Sequence, residues 1–124
     1  MINGLRAYLL ERFRTDAAAL RQRADALRNA AATRGAAMPV PGPDAPTSER
    51  MAAACDDVVA MLNAIPDGSD PAAVLSSIAA LSPLLDMRAQ RESASPAVRA
   101  VYAGAATRIR EVQQVEATAR DLLA

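Results

Sequence analysis

The amino-acid sequence predicts an all-α protein, a four-helix bundle whose helices are long, short, short and long in chain order. Alanine supplies 31 of the 124 residues, and only three residues are aromatic. Alanine is the best helix former, whereas the β-branched and aromatic residues that favour strands are scarce. Apolar residues recur three or four positions apart in four segments, which places them on one face of each helix. The length predicts a single domain over residues 1–124.

The first helix is predicted from about Ile2 to Arg34, a stretch without proline. Its apolar positions follow one another at intervals of four or three residues and form a heptad-like seam. They are Leu9, Phe13, Ala17, Leu20, Ala24, Leu27 and Ala31. Residues 36–46 contain four prolines and a glycine. They cannot continue a helix, so we expect an extended, proline-rich connector there.

The second helix is predicted to begin at Thr47 or Ser48, one of which would be its N-cap, and to end near Ile65. Its apolar stripe again steps by four and three residues. The members are Met51, Cys55, Val58, Leu62 and Ile65. A second amphipathic helix therefore follows the connector directly.

The third and fourth helices each follow a serine or aspartate that precedes a proline. Residues 66–69 read as a turn, and Asp70 as the N-cap of the third helix. Pro83 lies inside the third apolar stripe, which predicts either a kink or a break into two short helices. Ser95 repeats the start signal and opens the last helix, which we expect to run close to the C-terminus.

The predicted lengths differ: about 33 and 29 residues for the outer helices, and about 19 and 22 for the middle ones. We expect the first and last helices to pair along their whole length; a long coiled hairpin that dimerises is the alternative architecture. Part of their seam would then lack a partner within the chain. An exposed apolar seam usually contacts a second subunit or another protein.

Charge is distributed unevenly along a chain whose formal net charge is zero. The net charge is +4 over residues 1–34, −6 over residues 44–86 and +2 over residues 88–124. We expect the acidic middle helices to lie beside the basic outer helices. Each exposed ion pair contributes only about 0–1 kcal/mol, so the main benefit would be orientation.

Residue types exclude most catalytic chemistry. Histidine and lysine are both absent, which removes His-dependent triads, His-ligated metal sites, Schiff bases and Walker-type phosphate loops. The single cysteine, Cys55, lies on the apolar stripe of the second helix and is expected to be a buried, inert thiol. We therefore predict that the protein is not an enzyme and has no cofactor and no metal site.

Arginines flank the apolar stripe of the first helix in two rows, one with a spacing of seven residues and one with a spacing of eleven. The rows are Arg14, Arg21 and Arg28, and Arg12, Arg23 and Arg34. The favoured interpretation is that they cover the edge of the core and pair with acids of the middle helices. They could instead bind phosphates or an acidic protein, or lie on a membrane surface.

These observations favour a non-enzymatic helical interaction protein: an adaptor, a chaperone or a structural subunit that docks helix to helix. The partner would be another protein or a second copy of the chain. The expected contact residues are Leu9, Phe13, Arg14, Leu20, Arg21 and Arg28. The alternative is a small subunit that binds the nucleic-acid backbone in a nucleoprotein complex. A third, weaker hypothesis is an inhibitor or immunity-type protein whose acidic centre consists of Asp56, Asp57, Asp67 and Asp70.

Neither a signal peptide nor a run of 18 uncharged apolar residues is evident, so we expect a cytoplasmic protein without a transmembrane segment. Gly, Ala, Arg and Pro make up 58 residues, whereas Phe, Tyr, Met, Ile, Asn and Lys make up 15. This bias favours a GC-rich bacterial or phage genome as the reason for the missing lysine. Selection against lysine modification is the second explanation.

Overall fold

The computed structural model describes residues 2–34, 42–66, 71–92 and 95–123. These residues form four helices and no strand: α1 (Ile2–Arg34), α2 (Ala45–Asn63), α3 (Pro71–Arg91) and α4 (Pro96–Leu123). The predicted all-α bundle, with its long, short, short and long helices, is confirmed. Most of the proline-rich connector, the turn after α2 and the N-cap expected at Asp70 lie outside the described residues.

A core of large apolar side chains joins all four helices in the middle of the bundle. Its members are Leu5, Leu9, Phe13, Val58, Leu62, Ile65, Val74, Ile78, Leu81, Leu85, Ala105, Ala106 and Ile109. Complete burial of one such leucine or isoleucine contributes about 1.5–3 kcal/mol. The first half of α1 and the second half of α2 therefore fix the position of α3 and α4.

Small residues build a second, narrower cluster between α1 and α2. Ala17, Ala52 and Cys55 are buried there, with Leu20 and Val101 packed against them. Farther along the same pair of helices, a buried alanine of α1 and a buried serine of α2 continue the seam; they are Ala24 and Ser48. Small side chains let two helix backbones approach closely, so this end of the molecule is essentially a two-helix hairpin.

The pairing of the helices differs from the prediction. α1 packs along α2, and α3 packs along α4; the two pairs join through α2 with α4 and, less extensively, α1 with α3. The expected full-length pairing of α1 with α4 is wrong, because these two helices approach each other only weakly. The small-residue seam of α1 is occupied by α2, its neighbour along the chain, as is usual for consecutive elements.

α2 begins earlier than predicted. Asp44 is its N-cap, and the Asp44 carboxylate accepts a hydrogen bond of 2.8 Å from the backbone N–H of Thr47. Thr47 and Ser48 therefore lie inside the helix, and the predicted N-cap is wrong. Pro46 did not prevent this start, because proline is tolerated in the first turn of a helix, where backbone N–H groups have no intrahelical partner.

α3 is one continuous helix through Pro83. The predicted break into two short helices at this proline is therefore wrong. Pro83 faces solvent, where water can bond the carbonyl that loses its helical partner. The neighbouring Ser82 hydroxyl donates to the carbonyl of Ala106 at 3.4 Å and links α3 to α4. At the start of α4 the predicted cap is confirmed, since the Ser95 hydroxyl accepts from the Val98 N–H at 3.3 Å.

Within the described residues, one segment, Ala72–Arg91 of α3, is long and apolar enough to cross a membrane, with a mean hydropathy of 1.3. The core helix of a soluble protein can have the same length and apolar composition. Ile78 and Leu85 on this helix are completely buried against the other helices. The absence of a transmembrane segment stays a prediction.

Candidate functional site

An open groove of about 510 Å³ lies between α1 and α4, with α2 as its floor. It exists because α1 and α4 each pack on another helix and leave the space between them unfilled. α1 contributes one wall and α4 the other. The lining residues are Phe13, Asp16, Ala19, Leu20, Arg23, Met51, Cys55, Ala100, Val101, Gly104, Ala105 and Arg108.

The lining combines an apolar interior with charged groups at the edges. Leu20 lies on the α1 wall and Val101 on the α4 wall. Both are half-buried and pack against the cluster of Ala17, Ala52 and Cys55. Near one end, the Arg108 guanidinium donates to the Tyr8 hydroxyl at 3.4 Å and connects α4 to α1. On the α1 wall, Arg23 Nε donates to the Pro43 carbonyl at 3.1 Å, which ties α1 to the start of α2. An apolar channel with arginines on its walls suits an amphipathic helix.

Cys55 lies at the floor of the groove and is 3% exposed. Burial, followed by the negative charges of Asp16 and Asp56, raises the pKa of the thiol to about 11. The neutral thiol therefore dominates at neutral pH. The prediction that Cys55 is buried is confirmed, and its low reactivity stays a prediction.

The arginine row with a spacing of seven faces α2. Arg21 forms an ion pair with Asp56, and Arg28 pairs with Glu49 at 2.7 Å. The hydrogen bond from Arg28 lowers the pKa of the Glu49 carboxyl below its ordinary value. The predicted pairing of basic outer helices with acidic middle helices is confirmed, and this row orients α2 on α1. Arg14 is exposed and forms no ion pair with another described residue.

The row with a spacing of eleven lies on the groove side of α1. Arg12 pairs with Asp16 of its own helix at 3.6 Å, and Arg23 lines the groove itself. The side chain of Arg34 lies outside the described residues. The two rows therefore have different surroundings: one contacts α2, and the other borders the open groove.

The residues predicted as partner contacts fall into three groups. Phe13 and Leu20 line the groove, whereas Leu9 is completely buried in the core, so we leave it out of the proposed docking surface. Arg21 and Arg28 pair with α2, and Arg14 lies on the same side of the helix. Sequence reasoning missed the opposite wall, formed by Val101, Gly104 and Arg108. Helical periodicity predicts one apolar face on each helix but does not show which side of that face stays open in α4.

A second polar cluster joins three helices at another place. Asp57 accepts a hydrogen bond of 3.0 Å from the Tyr102 hydroxyl and forms an ion pair with Arg88. These residues come from α2, α4 and α3, so the cluster fixes the packing of the two helix pairs. Nowhere in the described ranges do three potential metal ligands lie together.

The side of α4 that forms the groove wall continues beyond the bundle. Val115 and Leu122 are 69% and 81% exposed, although both are large apolar residues. They border a shallow hollow of about 470 Å³ together with other residues of the same helix, namely Glu111, Gln114, Thr118 and Ala119. The groove and this exposed end therefore form one continuous open surface along α4.

The groove, the arginines on its walls and the exposed end of α4 are the features on which a functional conclusion depends. The groove is lined by partly exposed side chains above a buried floor, and the exposed end of α4 consists of surface residues. Comparison with protein-family models, with curated proteins and with solved structures finds no match for this chain.

Proposed function

We propose that the protein is a non-enzymatic interaction protein that docks a helix of another protein chain in the groove between α1 and α4. The open groove is the single observation that carries this proposal: Leu20 and Val101 stand on its walls, and Cys55 lies on its floor. A docked amphipathic helix would cover the apolar walls, which the chain itself leaves partly accessible to solvent. Arg23 and Arg108 on the walls would select and orient an acidic or polar flank of that helix.

The nucleic-acid alternative receives less support from the structure. Arg21 and Arg28 are paired with Asp56 and Glu49, so two of the six arginines in the α1 pattern are used within the chain. A phosphate-binding surface needs several cations that are available to release counterions. The inhibitor hypothesis is weakened for the same reason, since Asp56 and Asp57 of its acidic centre are both paired with arginines.

Site-specific photocrosslinking in the cells that encode the protein tests this function. A benzophenone amino acid replaces Ala100, which is exposed on the α4 wall of the groove. The matched control places the same group at Ala80, which is exposed on α3 away from the groove. We expect a protein adduct from position 100 that is absent from position 80.

A second variant links the adduct to the groove itself. Leu20→Asp introduces a charge into the apolar wall and is expected to abolish the adduct from position 100. Leu84→Asp is its counterpart, because Leu84 is an exposed leucine on α3; it leaves the adduct intact. Circular dichroism establishes that both variants remain helical. Equal crosslinking from positions 80 and 100, or none from either, contradicts the proposed function.

A further inference from the structure

The open side of α4 has a heptad spacing of its own, separate from the stripe that faces the core. Its positions step alternately by four and three residues. They are Ala97, Val101, Gly104, Arg108, Glu111, Val115, Thr118 and Leu122. At about 100° per residue these positions fall within about a 100° sector, as one helix face requires. The face is about 38 Å long at about 1.5 Å per residue.

None of these eight side chains is buried within the chain. Five of them are exposed, and Ala97, Val101 and Arg108 are half-buried, so every position of the face keeps some contact with solvent. Gly104 is the least expected of them. A Cβ added at Gly104 would meet no atom within 4 Å, so packing within the chain does not require glycine there. Glycine in the middle of a helix lowers stability, which makes its presence at this open position informative.

The order of residues along the face makes it complementary to itself in the antiparallel direction. When a second α4 runs antiparallel, with Arg108 opposite Glu111 of the second copy, the other positions also pair large with small residues. Val115 of the second copy then lies opposite Gly104, and Leu122 of the second copy lies opposite Ala97. Each of these contacts occurs twice, because a two-fold axis relates the two copies.

Charge supports the same arrangement. Arg108 and Glu111 would form two symmetry-related ion pairs at the centre of the contact. Glu111 has no ion-pair partner among the described residues of its own chain. The segment 111–123 has a net charge of −2, since it contains Glu111, Glu116, Asp121 and Arg120. That segment would lie on a groove whose charged lining residues are Arg23, Arg108 and Asp16.

We infer that the occupant of the groove is a second copy of this chain. The two copies dock antiparallel through the open faces of α4, so that the exposed end of each α4 covers the groove wall of the other. This inference deepens the proposed function and rests on it, since it names the partner that covers the groove. It also explains why Val115 and Leu122 are apolar although no described residue of their own chain covers them.

Light scattering after size exclusion, from about 10 to 500 µM, tests the inference on the full chain. We expect the wild type to form a dimer of twice the 13.0 kDa chain mass. Arg108→Glu alone places two glutamates opposite each other, and Glu111→Arg alone places two arginines opposite each other. Either change is expected to weaken the dimer at least about tenfold.

Mixing the two variants is the decisive step. In a mixed dimer both acidic side chains at positions 108 and 111 belong to the Arg108→Glu chain, and both arginines belong to the Glu111→Arg chain. Each glutamate therefore meets an arginine, and both ion pairs are restored. We expect the equimolar mixture to form a heterodimer with close to wild-type affinity. A change in folding within one chain could not be repaired in this way, and failure of the mixture to dimerise overturns the inference.

Two further variants control for nonspecific effects. Arg91→Glu makes the same charge reversal at the exposed end of α3 and is expected to leave the dimer intact; equal weakening would overturn the assigned face. Gly104→Leu fits the open space of the single chain and is expected to abolish the dimer while the helical content stays unchanged. A wild-type monomer at 500 µM overturns the inference. An adduct from position 100 of a mass other than the dimer would do the same and would leave the proposed function intact.

Discussion

Two lengths of α4 with similar apolar spacing have opposite surroundings. In the first half, Val98, Ala105 and Ile109 are buried against α2 and α3. In the second half, Val115 and Leu122 are 69% and 81% exposed. The difference arises because Val115 and Leu122 lie on the open side of α4, about 100° around the helix from the stripe that packs on α2 and α3.

This contrast separates what stabilises the chain from what is available to a partner. The buried half of α4 belongs to the core that joins all four helices. Its exposed half contributes little to the free energy of folding of a single chain, since apolar side chains stabilise in proportion to the area removed from water. A run of exposed apolar residues on one helix face is typical of a contact outside the chain.

The largest expected effect comes from making one change in both environments. Leu62→Ala removes a completely buried leucine from the core and is expected to lower the free energy of unfolding by about 2–5 kcal/mol. Leu122→Ala removes a leucine side chain that is 81% exposed and is expected to change the free energy of unfolding by less than about 0.5 kcal/mol. Urea unfolding at a protein concentration low enough to keep the chain monomeric measures both. Similar losses from the two variants would show that the end of α4 is covered within one chain.

Much of the fold follows from the sequence because helix periodicity is a local property. The spacing of Phe13, Ala17 and Leu20, and that of Val58 and Leu62, identified helix faces that are buried in the structure. The start of α4 was also predictable, since Ser95 satisfies a backbone N–H that every helix start leaves unpaired. Asp44 was missed as a cap because Pro46 follows it and the whole segment resembles a connector.

The groove was less predictable, because it depends on which helices pair. A stripe such as Phe13–Leu20 shows that something covers one side of α1 but does not identify the helix that does so. α2 rather than α4 packs on this stripe because the small side chains of Ala17 and Ala52 fit against each other. That fit depends on the three-dimensional shapes of the two helices. The wall around Gly104 could not be recognised before this pairing was known.

The floor of the groove is expected to give the protein a pH-dependent stability that the exposed end of α4 lacks. Cys55 has a pKa of about 11 in the folded chain, raised by burial from the ordinary thiol value of 9.0. The unfolded chain therefore loses this proton first as pH rises, and stability falls between about pH 9 and pH 11. At about 1.4 kcal/mol per pKa unit the loss approaches about 2–3 kcal/mol.

Urea unfolding at pH 8, 9, 10 and 11 measures this loss, and Cys55→Ala is the control. The Cys55→Ala variant lacks the thiol but keeps both tyrosines. The difference between the two proteins in the slope of unfolding free energy against pH is therefore the contribution of Cys55. Identical slopes in the two proteins would mean that the thiol is not desolvated in the folded chain. Slow maleimide labelling of native Cys55 at pH 8, compared with labelling in guanidinium, checks the same burial independently.

Replacing either of two glycines by alanine is expected to change the stability of the chain by a smaller amount, and in opposite directions. Gly42 lies before α2, and Gly104 lies on the open face of α4. Gly42 has a φ of +99°, so Gly42→Ala is expected to destabilise the chain by about 1 kcal/mol or more. Gly104 lies within α4 with open space around it, so Gly104→Ala is expected to stabilise a single chain by about 0.5–1 kcal/mol. Thermal unfolding at low concentration distinguishes the two signs. Destabilisation by Gly104→Ala would show that the chain itself needs glycine on that face.

The smallest expected effect concerns the arginines that the groove does not use. Arg21 and Asp56 are each about half exposed, with side-chain exposures of 50% and 49%, so water screens their ion pair strongly. Arg21→Gln is therefore expected to cost less than about 1 kcal/mol, and the cost should shrink further in 1 M salt. Arg14→Gln, on the same row but without an ion pair to a described residue, is expected to cost nothing measurable. Because this row contacts α2 rather than the groove, neither change should alter the adduct from position 100 or the mass of the assembly. A loss of either with Arg14→Gln would move the docking surface from the groove to the opposite side of α1.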